Sequence, residues 1–169
     1  MVIKMRINHT IDPIYDKNSK VLILGSIPSI KSREIGFYYG HPKNRFWKTL
    51  SLVYKEEIGK TKEEKIIFLK KHKIALFDVI KSCIIEGYSD SSIKSPIPNN
   101  LKPVLKNSKI KTIFTTGNKA YQLYNKYIYP KTGIPAIKLP STSPANCKKG
   151  IQEQLVKEYK KIKEITDHL

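Results

Sequence analysis

Residues Val21 to Trp47 read VLILGSIPSIKSREIGFYYGHPKNRFW, and the join between Leu24 and Gly25 decides the fold class. Val21 to Leu24 is an unbroken apolar run, and it stops abruptly in Gly25-Ser26-Ile27-Pro28-Ser29. A short run of this kind reads as a buried strand, and the Gly-Ser-x-Pro-Ser after it as a turn. In open α/β sheets the loops at the carboxyl ends of strands are where ligands bind. This loop passes through Phe37, Tyr38 and Tyr39 into His41-Pro42-Lys43-Asn44. Three aromatics, a His and an Asn on one loop suit a pocket for a flat polar ring.

Working outward, three further apolar runs read as strands: Ile74–Phe77, Thr112–Thr115 and Ile134–Leu139. Helical patterns lie between and after them. Pro42 to Tyr54 carries Phe46, Trp47, Leu50 and Val53 at helical spacing, which makes Phe46 and Trp47 core residues and suits Pro42 to the first turn. Thr61-Lys62-Glu63-Glu64 is a capping box ahead of Ile66, Ile67 and Leu69. Gly117 to Tyr127 and Lys148 to Asp167 supply two more helices, the latter with Ile151, Leu155, Tyr159 and Ile162 on one face. Strands alternating with helices imply right-handed crossovers. The expected fold is a three-layer αβα sandwich around a central, mainly parallel four-stranded sheet. Cys83 to Asn100, which contains GYSDSSIKSPIPNN, reads as an irregular surface loop. The strand ends Gly25-Ser26, Asp78, Thr116-Gly117 and Pro140-Ser141 should meet at one edge. There Tyr39, Asn44, Asp78 and Ser141 are expected to border a common slot.

The chain has 169 residues, 40% of them hydrophobic, with no repeat or linker, so residues 1–169 read as one domain. No stretch approaches the ~18 apolar residues of a membrane span, and the N-terminus lacks a signal-peptide core. These features predict a soluble cytoplasmic protein with no membrane partner. Cys83 and Cys147 are too few for a disulfide scaffold or a four-cysteine cluster, and the four histidines lack ligand spacing. No metal and no cofactor is expected. The net charge is +18, and Ser91 to Gln152 holds eleven lysines and no Asp or Glu. A field of that sign attracts a polyanion and releases counterions from phosphate backbone, although a solvated basic surface has the same composition.

GSIPS, YYGHPKNRFW and the fourth loop LPSTSPAN (Leu139 to Asn146) together carry a family resemblance. The chain resembles the uracil-DNA glycosylase superfamily over about residues 20 to 165. It is most similar to the hypoxanthine-DNA (deoxyinosine) glycosylase branch, and the first block also resembles the G:T/U mismatch-specific enzymes. The resemblance implies a monofunctional base-excision repair glycosylase. Such an enzyme flips a deaminated base, most simply hypoxanthine, out of double-stranded DNA and hydrolyses its N-glycosidic bond, leaving an abasic site. It would act as a monomer, nucleoid-associated in a prokaryote.

In most of that superfamily an Asp or Asn at the third position of the first loop orients the water. Here that position is Ile27, which cannot polarise water, so the resemblance to the hypoxanthine branch assigns water positioning to Asn44. The competing reading has Asn44 satisfying backbone at the helix start. Tyr39 falls where relatives place the aromatic that stacks on the base. His41 either contacts base or phosphate or fixes the loop. Asp78 can accept the N1–H of hypoxanthine, whereas adenine presents a bare N1 lone pair there; alternatively it caps the following turn. Ser26 and Ile27 complete the base pocket. Ser29, Lys31, Ser141, Ser143, Asn146, Lys148 and Lys149 are the expected DNA-binding set, offering short hydroxyls and charge to the phosphates. Leu139 stands where relatives often carry a polar residue facing the leaving base.

Three other readings stay open on the sequence. One is the same reaction on uracil or G:T/U mismatches. Another is a non-catalytic lesion-DNA binding module, suggested by the apolar Ile27 and Leu139. The third is a hydrolase using Ser26, His41 and Asp78, although Gly-Ser-x-Pro lacks the strained G-x-S-x-G elbow.

Overall fold

The computed structural model describes residues 4–86 and 93–168. Its centre is a sheet built from β2 (Val21–Gly25), β3 (Ile74–Asp78), β6 (Thr112–Thr116) and β7 (Ala136–Leu139). The order across the sheet is β3-β2-β6-β7, and every neighbouring pair is parallel. β2 and β3 are buried at every position, as expected of central strands covered on both faces. The expected architecture is therefore present, with the last strand starting at Ala136 rather than Ile134.

Chain order explains the layers. From β2 the chain crosses to β3 through α1 (Ile30–Ile35), α2 (Phe46–Tyr54) and α3 (Lys62–Lys71). After α4 (Lys102–Lys106) comes β6, from which the chain crosses the other way to β7 through α5 (Asn118–Tyr127) and the short α6 (Tyr129–Thr132). Right-handed crossovers running in opposite directions put their helices on opposite faces. The closing helix α7 (Ile151–Thr166) packs against α2, with Ile151, Leu155, Tyr159 and Ile162 all buried, as its sequence pattern requires. Thr61 caps α3 through the predicted box: its side chain accepts from Glu64 N while Glu64 reaches back to Thr61 N.

Two expectations are corrected. α2 starts at Phe46, so Pro42 lies in the loop ahead of it rather than in the first turn. The reason is local, because Asn44 Oδ1 already accepts from Phe46 N and closes the turn there. Nor is Cys83 to Asn100 an irregular loop. β4 (Ile80–Glu86) and β5 (Ile93–Pro98) pair antiparallel, and β1 (Lys4–Asn8) joins the other side of β4 in a three-stranded sheet of order β1-β4-β5. β5 is an edge strand, the position where Pro96 and Pro98 lose least by lacking N–H groups. The β4–β5 register slips twice, and Ser95 has a φ of 47°. These irregularities break the alternation that would have marked a strand.

One apolar core runs through both sheets, from Ile7 and Ile93 to Ile162. Among the described residues no helix is long and apolar enough to cross a membrane. Burial pushes several phenols in this core well above their ordinary range, including Tyr38 and Tyr159, and Tyr54 is pushed up to about 12. An unfolded tyrosine loses its proton near pH ~10, whereas these keep theirs in the native state. Unfolding therefore releases protons above that pH, and stability falls by about 1.4 kcal/mol per pH unit for each such tyrosine. Urea unfolding should show a lower midpoint at pH 11 than at pH 9, with the loss blunted in Tyr54→Phe.

Candidate active site

The parallel register sets the strand ends level: Gly25 lies beside Asp78, Leu24 beside Thr115, and Thr116 beside Leu139. At this edge Gly25 is the floor. A Cβ built on it would lie 2.5 Å from Asp78 Oδ1, 3.4 Å from the Tyr39 hydroxyl and 3.7 Å from Thr116 Oγ1. Three polar atoms from three segments thus converge on one backbone position that has no side chain.

The three aromatics of the first loop divide their work. Phe37 is buried and stacks on Trp47, with ring centroids 5.9 Å apart. Tyr38 is buried and donates its hydroxyl proton to the Asp12 carbonyl at 2.9 Å. Tyr39 alone is only partly buried and reaches the edge, its hydroxyl 3.3 Å from Thr116 Oγ1. Its φ of 51° is left-handed, a conformation that costs a non-glycine residue on the order of 1 kcal/mol and recurs at functional sites. Phe46 covers one ring face, with centroids 3.8 Å apart, which closes that face to any further stacking partner. Burial first, then the charge of Asp78, raises the Tyr39 phenol, partly opposed by the Thr116 contact. It stays neutral at physiological pH.

Asp78 is 4% exposed, and its Oδ2 lies 2.8 Å from His9 Nε2. Its carbonyl accepts from Asn99 Nδ2 at 2.9 Å. The histidine that meets Asp78 is thus His9, while His41 Nδ1 accepts from Lys43 N within its own loop. The Ser26, His41 and Asp78 arrangement weighed for a hydrolase is not assembled. Ser26 is buried beside the floor, its carbonyl accepting from Ile80 N, and Ile27 packs in the core.

Asn44 lies in the loop before α2, tied to Phe46 N at 2.9 Å. The next residue couples this loop to the fourth one. Arg45 N donates to the Thr142 carbonyl at 3.0 Å, and Arg45 Nη1 donates to the Asn146 carbonyl at 3.1 Å. The fourth loop also braces itself, with Ser143 N donating to Ser141 Oγ and Asn146 Nδ2 donating to the Ser141 carbonyl. A hydrogen bond from a charged donor to this loop stabilises by about 1.5–3 kcal/mol when buried, and less at a partly exposed site. Arg45→Ala should therefore lower stability in urea by about 1 kcal/mol.

Ser141, Asn146 and Lys148 line a cavity of about 520 Å³ with Gly117, Asn118 and Lys138. Tyr39, Asn44 and Asp78 do not border that cavity, so the expected common slot is not formed: Ser141 lies on a separate loop that closes around its own cavity, and Asn44 is tied into the turn before α2. Tyr39 and Asp78 converge on the Gly25 backbone, apart from the lysine-edged cavity. Thr116 and Gly117 are the seam between them, since Thr116 meets Tyr39 and a Cβ on Gly117 would lie 3.2 Å from Ser141 Cβ.

Residues 13–168 match the uracil DNA glycosylase superfamily model. The chain belongs to the uracil DNA glycosylase superfamily. Two curated relatives carry the name hypoxanthine DNA glycosylase. One, from Methanosarcina acetivorans, is 34% identical over 79% of this chain and 84% of its own length. The other, from Methanosarcina barkeri, is 38% identical over 57% of this chain and 68% of its own. A solution NMR structure of a Methanosarcina acetivorans protein, provisionally named a uracil DNA glycosylase, superposes with a TM-score of 0.78. It is 30% identical, and the match covers 94% of this chain and 99% of that one.

Within this superfamily of DNA glycosylases, the remaining sequence candidates fall into two places. Ser29 caps α1 by accepting from Ser32 N, and exposed Lys31 pairs with Glu34 at 3.6 Å. Lys148 and Lys149 are exposed on the fourth-loop side, next to the cavity. Leu139 is fully buried in the core, and its apolar side chain offers no hydrogen bond to the cavity it borders. Among the described residues no group of three or more His, Cys, Asp or Glu is placed to hold a metal ion.

Sequence reasoning overlooked His9, Thr116 and Arg45. Arg45 sits beside Asn44 in the motif, so proximity was a usable signal. Thr116 ends a strand already placed at the edge. His9 had none, because Asp78 lies 69 positions away and His9 is brought to it by β1, a strand of the sheet that the sequence did not reveal.

Proposed function

We propose that this protein is a monofunctional glycosylase that removes hypoxanthine from duplex DNA. The observation that carries the reading is Asp78 Oδ1, held over the Gly25 floor next to Tyr39. An ionised carboxylate only accepts hydrogen bonds, and hypoxanthine offers N1–H where adenine offers a lone pair. Two acceptors facing each other in a buried site cost about 1–3 kcal/mol or more, enough to reject adenine strongly.

The steps follow from the parts. Lysines at the fourth loop hold the phosphates, and the flipped base stacks on the free face of Tyr39 with its N1–H on Asp78. The C1′–N9 bond breaks and its electron pair leaves with the base. Asn44 holds a water against C1′; the water's oxygen forms the new bond, and the proton it gives up to solvent is matched by one that the departing base takes from solvent. An amide is a weak base, but an oxocarbenium-like carbon needs an oriented water more than a deprotonated one. The products are free hypoxanthine and an abasic site.

Uracil is the second reading, because its N3–H satisfies the same carboxylate. Duplexes carrying inosine or uracil opposite each base, treated with the protein and then alkali, decide between them. Inosine should be cleaved with the highest kcat/KM, and borohydride should trap no protein–DNA conjugate. Faster cleavage of uracil would transfer the assignment, and lesion binding without abasic product would make the chain a binding module.

A further inference from the structure

We infer that His9 is a specificity-positioning residue: its imidazole fixes which oxygen of Asp78 faces the base. This rests on the reading of Asp78 as the acceptor for N1–H. A carboxylate rotates easily about its terminal torsion, since that torsion is broad and two-fold. Nothing about Asp78 in isolation would hold one oxygen over Gly25. His9 Nε2 lies 2.8 Å from Oδ2, and the two side chains are only 3% and 5% exposed. With Asp78 ionised, Nε2 must carry the proton and donate it. A charge-assisted hydrogen bond at that length, shielded from water, locks the torsion. It leaves Oδ1 as the oxygen that points at the floor, 2.5 Å from where a Gly25 Cβ would be.

His9 is itself held on several sides. Its backbone N–H donates to the Lys81 carbonyl at 2.7 Å, and its ring meets Phe77 edge-on with centroids 5.3 Å apart. Tyr38 lies tilted against it at 6.1 Å. The topology accounts for the meeting: β4 begins two residues after Asp78, and β1 pairs with it, Asn8 opposite Ser82. The chain that leaves the acceptor therefore brings the imidazole back to it.

The test compares cleavage of duplexes containing inosine or nebularine, a purine whose N1 is a bare lone pair. Because both rates come from one preparation, their ratio is independent of the fraction folded. Gln places an amide nitrogen near the position of Nε2, whereas Asn is too short. His9→Asn and His9→Ala should lower the inosine-to-nebularine ratio about 10- to 100-fold, the worth of one buried charged hydrogen bond, while His9→Gln stays within about threefold of wild type. In an Asp78→Asn background the His9 substitutions should change the ratio no further. An unchanged ratio in His9→Asn with a lowered one in Asp78→Asn would overturn the role of His9 alone. Equal losses in His9→Gln and His9→Asn would reduce it to a packing residue. An unchanged ratio in Asp78→Asn would remove the parent reading and this inference together.

Discussion

Replacing Asn44 by alanine should lower single-turnover cleavage of inosine-containing duplex at least about 100-fold, the scale on which a misplaced reactant loses rate. Duplex affinity should stay near wild type, because the proposed phosphate contacts come from the fourth loop and its lysines. The structure adds a complication that the experiment must separate. Asn44 Oδ1 already accepts from Phe46 N, so the side chain also closes the turn before α2. Its loss should cost about 1 kcal/mol of stability, as for other residues that satisfy a helix-start N–H. A carbonyl oxygen has two lone pairs, so the turn and an oriented water can share it. Asn44→Asp keeps an acceptor for Phe46 N and should restore the lost stability. If Asn44→Ala matched wild type at saturating enzyme, the residue would be a turn former and nothing more.

Gly25→Ala is the second large effect. Its Cβ would sit 2.5 Å from Asp78 Oδ1, closer than unbonded atoms come. Asp78 cannot simply rotate away, being buried and bonded to His9. Overpacking at such a site costs about 1–3 kcal/mol and occasionally more, so a loss near the top of that range is expected in urea. Excision of hypoxanthine should fall with it, since on the proposed reading the displaced carboxylate would no longer meet N1–H. Gly25→Ala combined with Asp78→Ala separates the two consequences. Neighbours that clash are non-additive, so the double variant should be more stable than the sum of the single changes while remaining impaired in excision. A Gly25→Ala protein as stable and active as wild type would refute the crowding at the floor.

Much of the architecture could be read from residues whose pattern is local. Val21–Leu24 and Ile74–Phe77 are unbroken apolar runs, and Thr61 to Glu64 carries its cap within four positions. The second sheet was hidden because its marks are weak: β5 carries two prolines and a strained Ser95, and β4 is entered directly from Asp78 without a turn signal. The same division holds at the site. Asp78 was legible as a strand-end residue and Tyr39 as the aromatic that the resemblance singles out on the first loop, and both converge on Gly25. Asn44 and Ser141 were legible from their motifs, yet they lie in loops whose placement depends on Arg45 bridging them. Bridges of that kind are set by tertiary packing and leave no periodicity to detect.

The antiparallel pairing of Lys4–Asn8 with β4 bears on how versions of this protein are cut. The superfamily match opens at residue 13, four positions after the imidazole that touches Asp78. A gene trimmed to that boundary would keep all the motif residues and every parallel strand. On the proposed role of His9, it would still arrive at the bench with an acceptor free to swivel, and so with blunted discrimination between purines.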